Sequence, residues 1–221
     1  MSNFVSFKIS PIIEFSNNSF CRVFVVVASF NLISTIIYNH FVWSDLIYLN
    51  ESGLDASDRT FVSGSKTRLI INIIVEVTSP IWLLFKSFVF SILMYSVGYL
   101  LKFSFSFTEL NKIFLVSYLF VIFGDFTNSA LLLVVEQPSI KNDILYYYPF
   151  SVLGFLSSSS NFLEYYFIWS RINIFQLGFI FSIYYLFLNK FLLTSKNSIY
   201  LVLSYGFFYG LFLVLWLLVS I

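Results

Sequence analysis

Asp125 lies seven residues after Tyr118, and Asn128 and Ser129 follow it by three and four, within the stretch "SYLFVIFGDFTNSA". On a helix these four share one face. The rest of the stretch is made for lipid, where an isolated carboxylate costs roughly 2.5–3.5 kcal/mol on insertion scales. Two kinds of chemistry could offset that cost. One is an ion or proton site, or a face that contacts a substrate. The other is a hydrogen-bonded network that joins helices and faces the bundle interior. Both require Asp125 to face protein rather than lipid.

Glu76 and Lys86 are the second pair of candidates. Together they could form a charge pair gating a path; separately, each could reach an interface and be hydrated. Gly206 and Gly210, four apart in "GFFYG", have the small-xxx-small spacing that lets two helices approach closely.

Other chemistry finds little to work with. There is one histidine, His40, and one cysteine, Cys21. A lone histidine cannot supply a two-His metal site, and no H-E-x-x-H is present. Cys21 and His40 stand at opposite ends of one apolar run, roughly 28 Å apart at 1.5 Å per helical residue, so they cannot pair within it. No phosphate-binding G-x-x-x-x-G-K-[ST] and no G-x-S-x-G elbow occurs. The expectation is a chain with no catalytic residues, no metal, no cofactor and no enzymatic activity.

The elements that position these residues follow from composition. Of 221 residues, 59% are hydrophobic and only 10% are charged, against about 25% charged in ordinary soluble domains. The runs approach the ~20 apolar residues that cross ~30 Å of hydrocarbon. The fold class expected is all-α, a polytopic transmembrane helical bundle. A formal net charge of +1 with no basic tract argues against a nucleic-acid partner.

Residues 1–18 read as a polar N-terminal segment and 19–221 as one transmembrane domain. Five spans are expected near 19–38, 81–101, 113–135, 173–192 and 198–221. Residues 43–68, rich in charge, read as a water-facing loop. From Leu69 to Leu101 the chain is almost continuously apolar, longer than one crossing needs, and Pro80 is the natural break. Residues 144–158, with Pro149 and a run of serines after them, are a candidate sixth helix, broken or re-entrant. The N-terminus is expected in the cytoplasm, and the lipid bilayer is the partner, with other membrane proteins or a second copy as further candidates.

The chain from Ser79 to Ile221 resembles the YIP1 domain family of small multispanning membrane proteins. "SPIWLLFKSFVFSILMYSVGYLL" looks like the family's Pro-led span, and "FSFSFTELNKIFLVSYLFVIF" is similar to its short loop and following span. "INIFQLGFIFSIYYLFLNKFLLTSKNSIYLVLSYGFFYGLFLVL" looks like its last two helices and the basic loop between them. The eukaryotic members' acidic signature and long soluble N-terminal region are absent. The resemblance therefore implies a bacterial-type member of the cytoplasmic (inner) membrane, with five spans, a cytoplasmic N-terminus and no established cofactor. Two functions follow as expectations: a non-enzymatic scaffolding or membrane-organisation role, or a transporter or permease component using the polar face around Asp125.

Overall fold

Valine, isoleucine and phenylalanine dominate this chain, and in water they favour strands over helices. In hydrocarbon the choice is different. Every backbone N–H and C=O must find its partner within the segment, which an α-helix provides. A computed structural model of the chain describes residues 10–42, 59–135, 150–151 and 172–220, and each element named in it is helical.

Helix α1 is Ser10–Ser16 and α2 is Phe20–Ile37, prolonged by one π turn over Tyr38–Val42. Helix α3 is Arg59–Leu100, α4 is Phe107–Val135, α5 is Ile174–Lys190 and α6 is Ser195–Ser220. Several starts are set by side-chain caps that satisfy first-turn N–H groups. Asn173 Oδ1 accepts from the Gln176 N–H at 2.8 Å, and Thr194 Oγ1 accepts from Asn197 N–H at 3.4 Å. The end of α3 is a Schellman turn: Phe103 N–H bonds the Gly98 carbonyl at 2.8 Å and Lys102 N–H the Tyr99 carbonyl at 3.1 Å. Lys102 occupies the left-handed position of that turn, with φ 61°.

Three helices among the described residues are long and apolar enough to cross a membrane: Phe20–Val42, Arg68–Leu100 and Phe107–Val134. Five were expected, and the count is corrected accordingly. Helix α5 has 17 residues, about 26 Å at 1.5 Å each, which falls short of ~30 Å of hydrocarbon. Helix α6 runs for 26 residues, and its side chains are described only as far as Leu211. The candidate helix at 144–158 lies outside the described residues, as do residues 43–58 of the expected loop.

The expected break at Pro80 is also corrected. Helix α3 runs through it without interruption for 42 residues and takes in 59–68, which the charge pattern predicts as loop. Proline removes only one donor, leaving the Glu76 carbonyl without its helical partner. Close by, the Thr78 hydroxyl donates to the Ile74 carbonyl at 2.8 Å, so the helix adds a side-chain bond where it loses a backbone one. The contact face of α3 is a narrow stripe: Asn72, Glu76, Ser79, Leu83, Ser87, Phe90 and Met94 recur at three- and four-residue spacing and are buried or half-buried. Ile70, Ile73, Val77, Ile81, Trp82 and Phe85 are exposed. That is apolar surface on a scale soluble monomers do not show.

The chain divides into two compact units, to both of which the long helices contribute. Unit 1 comprises Met1–Val27, Lys86–Tyr118 and Phe179–Ile221; unit 2 comprises Ala28–Phe85 and Leu119–Gly178. Unit 1 has an aromatic core. Phe90 packs on Phe114 and Tyr205, and Phe179 on Phe114, Tyr118 and Tyr205, with centroids 5.2–6.4 Å apart. Such offset and edge-on pairs add to simple area burial.

Unit 2 is closed differently. A Cβ added to Gly124 of α4 would fall 2.7 Å from the Phe175 ring of α5, and one added to Gly178 of α5 would fall 2.8 Å from the Phe120 ring of α4. The two helices thus exchange a phenylalanine for a glycine in each direction.

Charge is divided unevenly. Unit 1 holds Lys8, Arg22, Lys86, Lys102, Lys112, Lys190 and Lys196 against Glu14 and Glu109. Unit 2 holds Arg59, Lys66, Arg68, Lys141 and Arg171 against nine acidic residues.

Candidate functional site

In unit 1 the dominant polar feature is a carboxylate shared by two lysines. Glu109, in the first turn of α4, pairs with Lys112 one turn further along and with Lys190 at the end of α5, the latter at 2.5 Å. The lysine side chains are only 8% and 11% exposed. Their remaining donors reach the N-terminal segment: Lys112 Nζ donates to the Asn18 carbonyl at 3.2 Å, and Lys190 Nζ to the Ser16 carbonyl at 2.7 Å. Ser16 ends α1, where unpartnered carbonyls carry partial negative charge and favour a cation. The cluster therefore fastens α1 to α4 and α5. Sequence reading missed it. Glu109 and Lys112 at three-residue spacing were a visible pair, but nothing local points to Lys190.

Lys86 also lies in unit 1. Its Nζ donates to the Tyr118 hydroxyl at 2.8 Å and stands 5.1 Å from that ring's centroid. At the next position, buried Ser87 donates to Asn111 Oδ1 at 2.9 Å. Ser117 and Ser182 join α4 to α5 through their hydroxyls at 3.1 Å.

Unit 2 carries a polar seam between α2 and α3. Asn31 Nδ2 donates to Ser79 Oγ at 2.9 Å. Asn39 Nδ2 donates to Glu76 Oε1 at 3.3 Å, and His40 Nε2 meets the same oxygen at 2.9 Å. Arg68 donates to the Asn39 carbonyl at 3.3 Å. The π turn at Tyr38–Val42 contains both Asn39 and His40, so the extra residue in that turn lies where the seam is most polar. Glu76 and Lys86 do not form the charge pair considered above: the carboxylate is engaged by His40 and Asn39, and the ammonium by Tyr118. Ten residues of one helix separate them.

The face around Asp125 is only partly assembled. Tyr118 is committed to Lys86. Ser129 is buried, but its hydroxyl turns back to the Asp125 carbonyl at 2.9 Å rather than to the carboxylate. The Asp125 side chain is exposed, which corrects the expectation that it faces the interior. The reason lies in the neighbouring position: the inward side at this level is Gly124, and Phe175 fills the space it leaves. Asn128 is half-buried, and its Oδ1 is buried with no hydrogen-bond partner.

Gly206 and Gly210 do not meet a helix among the described residues; a Cβ at either would touch nothing within 4 Å. The glycines that receive a neighbour are Gly98, Gly124 and Gly178, each opposite a phenylalanine. Gly206→Ala is accordingly expected to be neutral or stabilising by about 0.5–1 kcal/mol, the helix-propensity difference. Thermal unfolding in detergent measures this, and a clear loss of stability would place an unseen partner on that face.

Among the described residues no three His, Cys, Asp or Glu side chains gather as metal ligands would. Cys21 is exposed and free. No family model, curated protein or solved structure matches the chain.

Proposed function

We infer that this chain is an integral membrane protein with a non-enzymatic scaffolding or membrane-organising role, of the kind the YIP1-like pattern implies. One observation carries the reading. Ionisable side chains within the apolar helices are used to join one helix to another: Glu76 to His40, Lys86 to Tyr118, and Glu109 to Lys190. Charges spent this way hold a bundle together and leave few groups for chemistry. The basic bias of unit 1, which includes the N-terminal segment, supports a cytoplasmic N-terminus in a bacterial inner membrane.

The test has two stages. Alkaline extraction of native membranes should leave the full chain in the pellet; its release would defeat the membrane reading. Affinity purification after gentle solubilisation should then recover the same membrane-protein partner in fixed ratio from independent preparations. A chain that purifies alone, even after cross-linking in intact cells, would defeat the scaffolding role.

Asn128 favours the second reading, a transporter or permease component. Its amide oxygen is buried without a hydrogen-bond partner, and such a group is what a solute or ion path would use. The variant Asp125→Asn separates the two. Scaffolding expects stability and cellular phenotype both to survive, whereas transport expects stability to survive and the phenotype to match a deletion.

A further inference from the structure

Three basic side chains of unit 1 stand apart from its internal ion pairs. Arg22 lies in the first turn of α2, Lys102 directly after α3 and Lys196 in the first turn of α6. All three are exposed. Arg22 donates to Asn18 Oδ1 at 3.3 Å, and Lys196 stands 5.8 Å from the centroid of the Tyr200 ring. Among the described residues none of the three pairs with a carboxylate. The described acids of this unit are Glu109, already shared by Lys112 and Lys190, and exposed Glu14. Three helix ends of one unit thus present basic charge outward, while Lys112 and Lys190 share the one carboxylate of Glu109.

Lys102 adds a local argument. Its left-handed position is one that glycine fills without strain and a lysine does not. A residue chosen for the turn alone would be glycine; a lysine there presents an ammonium at the end of an apolar helix.

Resting on the membrane reading above, we propose that Arg22, Lys102 and Lys196 form a docking surface for anionic phospholipid headgroups. The charge complement is direct. A lipid phosphate accepts from guanidinium and ammonium groups, and basic residues beside a membrane are each drawn to an anionic leaflet by about a factor of five in affinity. A zwitterionic headgroup offers the same phosphate with no net charge, so the preference should follow lipid charge. Unit 2 carries five basic residues to nine acidic.

The experiment reconstitutes the full chain in nanodiscs of equal phosphatidylcholine and phosphatidylglycerol, re-extracts it gently and quantifies the lipid retained. Phosphatidylglycerol should be enriched about fivefold or more over phosphatidylcholine. The triple variant Arg22→Gln/Lys102→Gly/Lys196→Gln should return the retained lipid to the input ratio. Lys102→Gly relaxes the turn, so this loss cannot be assigned to damage there, and thermal unfolding of the variant checks that it folds. The unit 2 control Lys66→Gln should leave enrichment unchanged. Equal retention of the two lipids, or enrichment that survives the triple variant, overturns the proposal. So does displacement by millimolar inorganic phosphate but not by sodium chloride of matched ionic strength, because that marks a phosphate site rather than a lipid surface. A chain that fails to enter nanodiscs or is released by alkali defeats the membrane reading itself, a different and recognisable outcome.

Discussion

Replacing Glu109 by glutamine is expected to lower stability by about 2 kcal/mol, less than a fully buried ion pair loses when broken from one side, because the Glu109 side chain is itself 28% exposed. In a chain of this size that corresponds to a fall of roughly 4–8 °C in the thermal midpoint. The loss is large because two ammonium groups depend on the one carboxylate, and their side chains are only 8% and 11% exposed. Glutamine keeps the shape and a hydrogen-bond acceptor but leaves both charges facing only hydroxyl and carbonyl oxygens. The double variant Glu109→Gln/Lys112→Met should recover part of the loss, since one of the uncompensated charges goes with the lysine. Lys112→Met alone should cost less than Glu109→Gln, because Glu109 keeps Lys190. Thermal unfolding of the purified full chain in detergent reads all three. A Glu109→Gln midpoint equal to wild type would mean that the two lysines are hydrated rather than held by the carboxylate.

The second large effect comes from glycines that helix propensity would misjudge. In an ordinary helix, Gly→Ala stabilises by about 0.5–1 kcal/mol. Gly124→Ala and Gly178→Ala are expected instead to destabilise by about 1–3 kcal/mol each, the usual cost of overpacking. Their new methyl groups would fall 2.7 Å and 2.8 Å from the rings of Phe175 and Phe120. Both rings sit where the other helix has no side chain, so neither helix can take up the methyl without moving away from the other. Pairing Gly124→Ala with Phe175→Leu should restore part of the loss by giving the methyl room. The same thermal assay decides it, with Gly206→Ala as the internal contrast. Equal responses at Gly124 and Gly206 would remove the argument.

What could be read from the sequence was the solvent rather than the contacts. A chain this apolar and this poor in charge favours long apolar helices, and the runs at 19–38, 113–135, 173–192 and 198–221 fall on α2, α4, α5 and α6, with α4 beginning at Phe107, six residues before its apolar run. Pro80 misled because its effect was judged as it would be in water, where a lost backbone bond ends a helix more readily than it does here. Gly206 and Gly210 misled for a related reason. Small-residue spacing marks a surface on which helices can approach, but it does not say which glycines are used. Gly124 carries no such spacing and Gly178 only the weaker one with Ser182, and their partners Phe175 and Phe120 are more than fifty residues away in the chain. The Asp125 face was visible as periodicity. Periodicity fixes which side chains share a side of a helix, not which side a neighbouring phenylalanine occupies, and that is what left Asp125 exposed. The shared carboxylate at Glu109 depends on a contact between α4 and α5 that no local pattern encodes.

On the membrane reading proposed above, the length of α3 has a consequence for how the chain would sit in lipid. Its apolar window, Arg68–Leu100, has 33 residues, about 50 Å at 1.5 Å each, against ~30 Å of hydrocarbon. To hide all of it by leaning, the helix axis would have to incline by about 53° from the membrane normal, beyond the roughly 40° that spanning helices reach. At an ordinary inclination of about 20°, roughly twelve residues' worth of apolar helix emerges from the hydrocarbon. A thicker bilayer covers more of that length. The thermal midpoint of the full chain should therefore rise as acyl chains are lengthened in reconstituted membranes, and this helix would favour the thicker parts of a membrane of uneven thickness.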